Sequence, residues 1–377
     1  MSEAIVLGAN HHNTYGIIRA LHAVGVKPTV ICPPPVKGCC YKNSRYVGEL
    51  VEIPESEVLS WLLDYGRKAE SKAVVFVSSD SFSSLIDENS DRLKPYFVIP
   101  CSDESGKLTR LMDKQRMSDL AVECGLSVPP NSRVVETADL AREEETLKFP
   151  CIVKPYKSIE GDKSDIFICR DASDYRELAE KIKCPAVQIQ DFIDKQLEYQ
   201  LIGLSLDEGR TVVIPGVTRL IWASSESSNT GIVEIDGFDK YDDIPLDRVR
   251  SFIRATGYSG SFSVEFLRDK EGRDYFMEIN FRNDGNAIVA TAANVNLPAM
   301  WWEHATGGSV RKPNGKRFRK AVAIPFWSML TVARRQGRLA ELVRYLLKGD
   351  VLMDVSLADM RPFLNSVKER ICNRMKR

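Results

Sequence analysis

Ser261-Phe262-Ser263-Val264-Glu265-Phe266-Leu267, a turn containing Asp269 and Gly272, then Tyr275-Phe276-Met277-Glu278-Ile279-Asn280 alternate apolar and polar residues on both sides of the turn. Alternation of this kind, interrupted by turn residues, predicts an antiparallel hairpin with one buried and one polar face. A four-residue loop from Asp269 to Gly272 would pair Arg268 with Arg273, Glu265 with Phe276 and Ser263 with Glu278. Phe262, Val264, Phe266, Tyr275, Met277 and Ile279 then share one face, and Ser261, Ser263, Glu265, Glu278 and Asn280 the other. In this register Glu265 and Glu278 are diagonal neighbours, about 7–8 Å apart at the backbone. With Asn280 they offer only oxygen ligands, which suits Mg²⁺ completing its shell with phosphate. The implied substrate is a nucleotide triphosphate; the plain alternative is a solvated strand face.

Upstream, Ile152-Val153-Lys154-Pro155 ends an apolar strand on a lysine. Pro155 stops the ladder there, and a long cationic stem can reach a phosphate. The loop Lys157-Ser158-Ile159-Glu160-Gly161-Asp162-Lys163-Ser164 follows. It could cradle phosphates through backbone N–H groups, or be an ordinary exposed loop.

The first hundred residues alternate strand and helix patterns: strands at 4–8, 28–32, 50–53 and 73–77, helices at 15–24 and 58–69, and another helix opened by Ser79-Asp80. This order predicts a parallel, doubly wound sheet. A helix is expected over 108–125, stopped by Gly125, before the extended Val128-Pro129-Pro130. Residues 130–205 read as a small α+β unit with strands at 150–155, 166–169 and 187–192 and a helix at 172–182. Strands dominate 199–280, and helices return at 297–306, 328–347 and 357–377. The expected fold class is therefore α/β (α+β), with units at 1–105, 106–195, 196–325 and a basic helical tail at 326–377.

The chain has 377 residues, 44% hydrophobic and 28% charged, which fits two or three packed units and excludes wholesale disorder. No apolar stretch approaches the roughly 20 residues of a membrane span, and residues 1–8 lack the marks of a signal peptide. Nine scattered cysteines without a CxxC pair read as reduced thiols, so a cytoplasmic location is expected. Net charge is zero but uneven: from Arg311 onward 17 Lys/Arg stand against 5 Asp/Glu, with 35 against 47 before it. Such a basic tail either docks on the acidic body or meets an anionic partner. Nucleic acid is not expected; contact with a membrane surface or a second subunit through the tail helices is the alternative to docking.

The ordered set Lys114, Lys154, the Gly161 loop, Gln190-Asp191-Phe192-Ile193, Glu198, Glu265 and Glu278-Ile279-Asn280-Phe281-Arg282 resembles the ATP-grasp superfamily. The segments Asn43-Ser44-Arg45-Tyr46 and Leu111-Met112-Asp113-Lys114 look like its carboxylate–amine ligase branch, including D-aspartate ligase-like and carbamoyl-phosphate-synthase-like members. The resemblance implies ATP with two Mg²⁺ ions, or Mn²⁺ in their place. Lys114, Lys154 and Gly161 would hold phosphates, Gln190, Asp191, Phe192 and Ile193 the adenine, and Glu198 the ribose. Glu265, Glu278 and Asn280 would bind metal, and Arg282 and Arg219 would face the transferred phosphoryl group. Departures are a glycine-poor loop, Phe281 in place of a frequent proline and Asp191 in place of a common glutamate. The activity implied is an ATP-dependent, ADP-forming ligase that joins a small-molecule carboxylate to an amine through an acylphosphate. The alternatives are a bicarbonate-using carboxylase or carbamoyl-phosphate-type enzyme, and a non-catalytic ATP-binding module. His11, after the first strand, is a candidate base at the acceptor pocket, and residues 283–296 are candidates to line it.

Overall fold

The structure, a computed structural model, describes residues 3–35, 39–156, 166–182, 184–223, 231–241, 243–308 and 317–375. Strands β1 (Ala4–Leu7), β2 (Thr29–Cys32), β3 (Glu49–Glu52), β4 (Ala73–Val77) and β5 (Phe97–Val98) form a parallel sheet in the order β3-β2-β1-β4-β5. β1 and β4 are buried along their whole length, which is why they read as unbroken apolar runs. Alternate residues feed two cores. Val6, Val30 and Val74 pack with Tyr15, Ile18 and Leu21 of the helix His12–His22. Ile5, Ile31 and Val75 pack with Val58, Leu62 and Phe82 of the helices Glu55–Lys68 and Asp80–Glu88. Ser79 caps the latter, accepting from the Phe82 amide at 3.4 Å.

The single helix expected over 108–125 is two, Lys107–Leu111 and Lys114–Glu123. Asp113 separates them: its backbone is extended and its Oδ1 accepts from the Gln115 and Arg116 amides at 2.9 and 3.0 Å. That cap starts a new helix with Lys114 as its first residue.

The second sheet holds β6 (Arg133–Glu136), β7 (Cys151–Pro155), β8 (Phe167–Cys169) and β9 (Ala186–Asp191), antiparallel in the order β6-β9-β7-β8. Cys151, Val153, Val187 and Ile189 pack against Tyr175 and Leu178 of the helix Ala172–Lys181. Alternation sends Ile152, Lys154, Gln188 and Gln190 to the opposite face.

The third sheet holds β10 (Lys195–Leu206), β11 (Thr211–Val213), β12 (Val217–Ala223), β13 (Gly231–Asp236), β14 (Gly260–Asp269), β15 (Asp274–Asn280), β16 (Ala321–Ile324) and β17 (Val351–Leu352). Its order is β15-β14-β10-β12-β13-β16-β17, with β11 on β10. Phe262, Val264, Phe266 and Phe276 pack on Val249, Phe252 and Ile253 of the helix Leu246–Thr256. From the opposite face Ile202, Leu204, Val233 and Ile235 join the core of β1 and the helix His12–His22, so the first and third sheets share one core.

The tail is not helical throughout. β17 runs parallel to β16 and ends the large sheet. The helix expected over 328–347 is divided at Gly337 (φ 67°) into Phe326–Gln336 and Leu339–Lys348, and the last helix, Arg361–Met375, starts later than expected. Among the described residues no helix is long and apolar enough to cross a membrane, and no disulfide forms.

Candidate active site

The second and third sheets border a cleft of about 790 Å³. Ile152, Lys154, Ile168 and Arg170 line it from one side, and Glu198, Glu265, Leu267, Met277 and Glu278 from the other. Phe192 and Ile193 line it from the link between the sheets, and Lys114 from the helix it begins.

The hairpin β14–β15 does not keep the expected register. Its turn pairs Arg268 with Asp274, with Gly272 at φ 82°, so the strands start one residue out of the predicted pairing. Phe266 then opposes Phe276, but Glu265 opposes Glu278, Val264 opposes Ile279 and Ser263 opposes Asn280. The additional residue, Met277, is a β-bulge. Two one-residue shifts have therefore accumulated, and Glu265 and Glu278 are directly opposite rather than diagonal. Phe276 joins the apolar face in place of Tyr275 and Met277; Met277 lines the cleft, and the Tyr275 hydroxyl donates to Asp269 Oδ2 at 3.1 Å.

Glu265 Oε1 accepts from Gln200 Nε2 at 3.0 Å and from Asn280 Nδ2 at 3.4 Å. Gln200 in turn accepts from Asn286 Nδ2 at 2.9 Å, and Ser263 Oγ donates to Asp284 Oδ2 at 3.1 Å. Asn280 Oδ1 accepts from Arg282 Nη2 at 3.1 Å, and Asp80 holds the same guanidinium through Nε at 2.8 Å and Nη2 at 3.1 Å. Burial opposes the charge on Arg282, but Asp80, with Asp284 and Glu278, outweighs it and raises its pKa above the ordinary range. Asp80 starts the helix that follows β4 and Arg282 follows the end of β15, so this ion pair joins the segments leaving the first and third sheets.

Across the cleft, burial and then the like charge of Lys114 lower the Lys154 pKa to about 8, with Glu278 and Glu265 opposing the shift. Burial also lowers the pKa of Lys114, whose Nζ donates to the Pro155 carbonyl at 2.7 Å. Gln190 is paired in register with Ile152 on the cleft side of β9; it is buried, and its Nε2 has no hydrogen-bond partner among the described residues. Asp191 lies on the other face, where its carboxylate accepts from Asn131 Nδ2 at 2.9 and 3.1 Å. Glu198 is paired with Lys195.

Arg219 is not brought to this cluster. Register places Thr218 beside Gln200 and Arg219 beside Tyr199, so alternation turns Arg219 to the sheet face opposite Glu265. There it is paired with Glu234, Nη2 to Oε1 at 2.9 Å. Gly161 and the rest of the 157–164 loop lie outside the described residues.

His11 is a helix cap: its Nδ1 accepts from the Asn13 amide at 3.2 Å, so that nitrogen is engaged at the helix start. Burial, then neighbouring His11, lowers the His12 pKa to about 3, so the His12 ring is neutral at pH 7. Both rings lie against Gly285, where a Cβ would come within 3.2 Å of His12 Nε2. The 283–296 segment is tied down: Asn283 donates to Asn13 Oδ1 at 2.6 Å, and its amide to the Val77 carbonyl at 3.0 Å.

Sequence reasoning missed Asp80, Gln200 and Met277 as members of the site. Asp80 was legible only as part of a helix start. The alternation of β10 around Glu198 and Gln200 could have flagged Gln200.

Among the described residues no three His, Cys, Asp or Glu side chains gather as a metal cage. Two opposed carboxylates and an amide oxygen remain, a donor set that fits a hard cation taking its other ligands from phosphate.

No known family model matches the chain. It is 22% identical over 236 residues to the carbamoyl phosphate synthase large chain of Clostridium beijerinckii, covering 58% of this chain and 22% of that one. The chain spans about half or less of the length of the curated relatives it matches. Its fold matches the N5-carboxyaminoimidazole synthetase of Staphylococcus aureus complexed with ADP, with a TM-score of 0.66, 18% identity and coverage of 85% of this chain and 81% of that chain. It also matches the L-amino acid ligase of Bacillus licheniformis, with a TM-score of 0.63, 16% identity and coverage of 85% and 79%.

Proposed function

The fold of this chain is the ATP-grasp fold, and from that premise we propose that it is an ATP-dependent, ADP-forming ligase joining a carboxylate to an amine. The observation that carries the reading is the direct opposition of Glu265 and Glu278 beside Asn280, facing Lys154 and Lys114 across one cleft. Phosphoryl transfer to a carboxylate brings anion toward anion; Lys154 and Lys114 supply positive charge from one side, and the Mg²⁺ that Glu265, Glu278 and Asn280 would hold supplies it from the other.

Each side chain has a part in that proposal. Lys154 and Lys114 hold the phosphates, and their lowered pKa values record two cations buried together before an anion arrives. Gln190, on the cleft face of β9 with its buried Nε2 unpartnered among the described residues, would donate to the base. Ile152, Ile168, Phe192 and Ile193 give the base an apolar surround, and Glu198 accepts from the ribose hydroxyls. Asp191 turns its carboxylate to Asn131 and its amide to the Pro130 carbonyl, at 3.0 Å, so it has no side-chain part in holding the base. Glu265, Glu278 and Asn280 hold Mg²⁺, two ions in this proposal, which supplies neutralisation of the triphosphate charge. Arg282, aimed by Asp80, faces the transferred phosphoryl group. Arg219 has no part in it.

In the reaction proposed, a carboxylate oxygen attacks the γ-phosphorus and the bond to ADP breaks. The amine nitrogen then attacks the acyl carbon, the C–O bond to phosphate breaks with its electron pair leaving on phosphate, and the proton that the nitrogen sheds passes to the departing phosphate. Binding and orientation supply the catalysis; no side-chain nucleophile is needed.

ADP release is to be measured with a panel of amino acids, other carboxylates and bicarbonate. Carboxylate-dependent release that falls at least about a hundredfold in Glu278→Gln is expected. Equal, acid-independent rates in both proteins would refute the reading, and stimulation by bicarbonate alone would replace the acid with bicarbonate.

A further inference from the structure

The helix Leu339–Lys348 is apolar on two sides. Leu342, with Tyr345 and Leu346, faces a core shared with Trp222, Ile324 and Met329. Leu339, Val343 and Leu347, spaced four residues apart, form a second line along the outer side and are 45%, 52% and 82% exposed. Single exposed leucines are ordinary, but three in line on one short helix form a patch. Arg344, three residues before Leu347, is exposed on the flank of this line, Lys348 is exposed at the end of the helix, and Arg334 and Arg335 are exposed at the end of the preceding helix. Among the described residues these four cations make no ion pair; Arg338, between the two helices, is bonded to Glu341 at 2.6 Å.

We propose that this outer face docks on an anionic lipid surface, with Leu339, Val343 and Leu347 among the acyl chains and the four cations at the phosphates. Charge decides against a second copy as the occupant. A two-fold contact places the same patch on both partners and brings four unpaired cations against four. The helix has ten residues, too few to span a bilayer, so the contact is interfacial.

The full-length protein is to be floated with vesicles of phosphatidylcholine alone and of phosphatidylcholine mixed with phosphatidylglycerol. Flotation with the mixed vesicles only is expected, reversed by added salt. Arg344→Gln and Lys348→Gln should each weaken it about fivefold, and Leu347→Glu should abolish it. All three changes are on the surface, so melting and nucleotide binding stay as in the wild type and show that the variants are folded. Failure of the wild type to float, equal flotation on both vesicles, or undiminished flotation of Leu347→Glu would overturn the proposal. So would a dimer without flotation that Leu347→Glu dissociates, which would assign the face to a second copy.

Discussion

Lys154 is the side chain on which burial and charge conflict most directly. Its pKa, lowered from 10.5 to about 8, means that the folded protein releases a proton the unfolded chain keeps between those values. Stability therefore rises with pH across that window, and below about 8 the burial penalty on the ammonium is present in full. Bound phosphate would restore the charge, so nucleotide binding should take up a proton above pH ~8 and weaken as pH rises. Calorimetry in buffers of different protonation enthalpy checks this. Lys154→Met should lose both proton uptake and nucleotide binding while melting at a higher temperature than the ligand-free wild type. Asp80 is the complementary case, an anion that aims a cation. Asp80→Asn should lower kcat by about tenfold to a hundredfold and leave the KM for ATP nearly unchanged, because Arg282 stays cationic but loses its fixed direction. Steady-state kinetics separate the two constants. Glu265, Glu278 and Lys154 were legible in sequence because strand alternation and a terminal proline announce their positions. Asp80 was not, because its partner lies 202 residues away and its own surroundings announce a helix start.

At the scale of elements, buried parallel strands were read well because nothing interrupts their apolar runs. The β14–β15 hairpin was read correctly as a hairpin, but its register was not. Neither the Gly272 turn nor the bulge at Met277 disturbs the hydrophobic pattern enough to be seen, yet together they decide which residue Glu265 faces. Gly272→Ala tests the turn: nothing lies within 4 Å of a Cβ there, so the cost is conformational, about 1 kcal/mol, visible as a small fall in melting temperature. The break at Asp113 did leave a signal in the sequence, an aspartate just before a helical run, but the apolar period of 108–125 continues through it and hid the cap. Asp113→Ala should cost about 1 kcal/mol. Because Lys114 follows directly, it should also raise the KM for ATP, which a purely local loss of stability would not do.

The whole molecule poses the question of what holds the basic tail to an acidic body. Complementary charge is the obvious answer from composition, and Lys320 does pair with Glu234 and Asp236 at 2.8 and 3.3 Å, but the other contacts are of another kind. β17 continues the large sheet, Met353 enters the core of the first sheet, and Arg19 Nη1 donates to the Leu352 carbonyl at 2.5 Å. Asp359, 3% exposed, accepts from Ser44 Oγ at 2.7 Å and the Arg45 amide at 2.8 Å, joining the tail to the segment after β2. Attachment by backbone pairing, apolar burial and shielded hydrogen bonds is little affected by salt, whereas surface charge attraction is screened away. Molar salt should therefore leave the wild-type melting temperature unlowered. Asp359→Ala, which strands a buried hydroxyl and amide, should cost about 2–3 kcal/mol and lower melting by several degrees at low and high salt alike. Melting curves of both proteins at the two salt concentrations decide it, since a tail held by net charge would loosen in the wild type as salt is added.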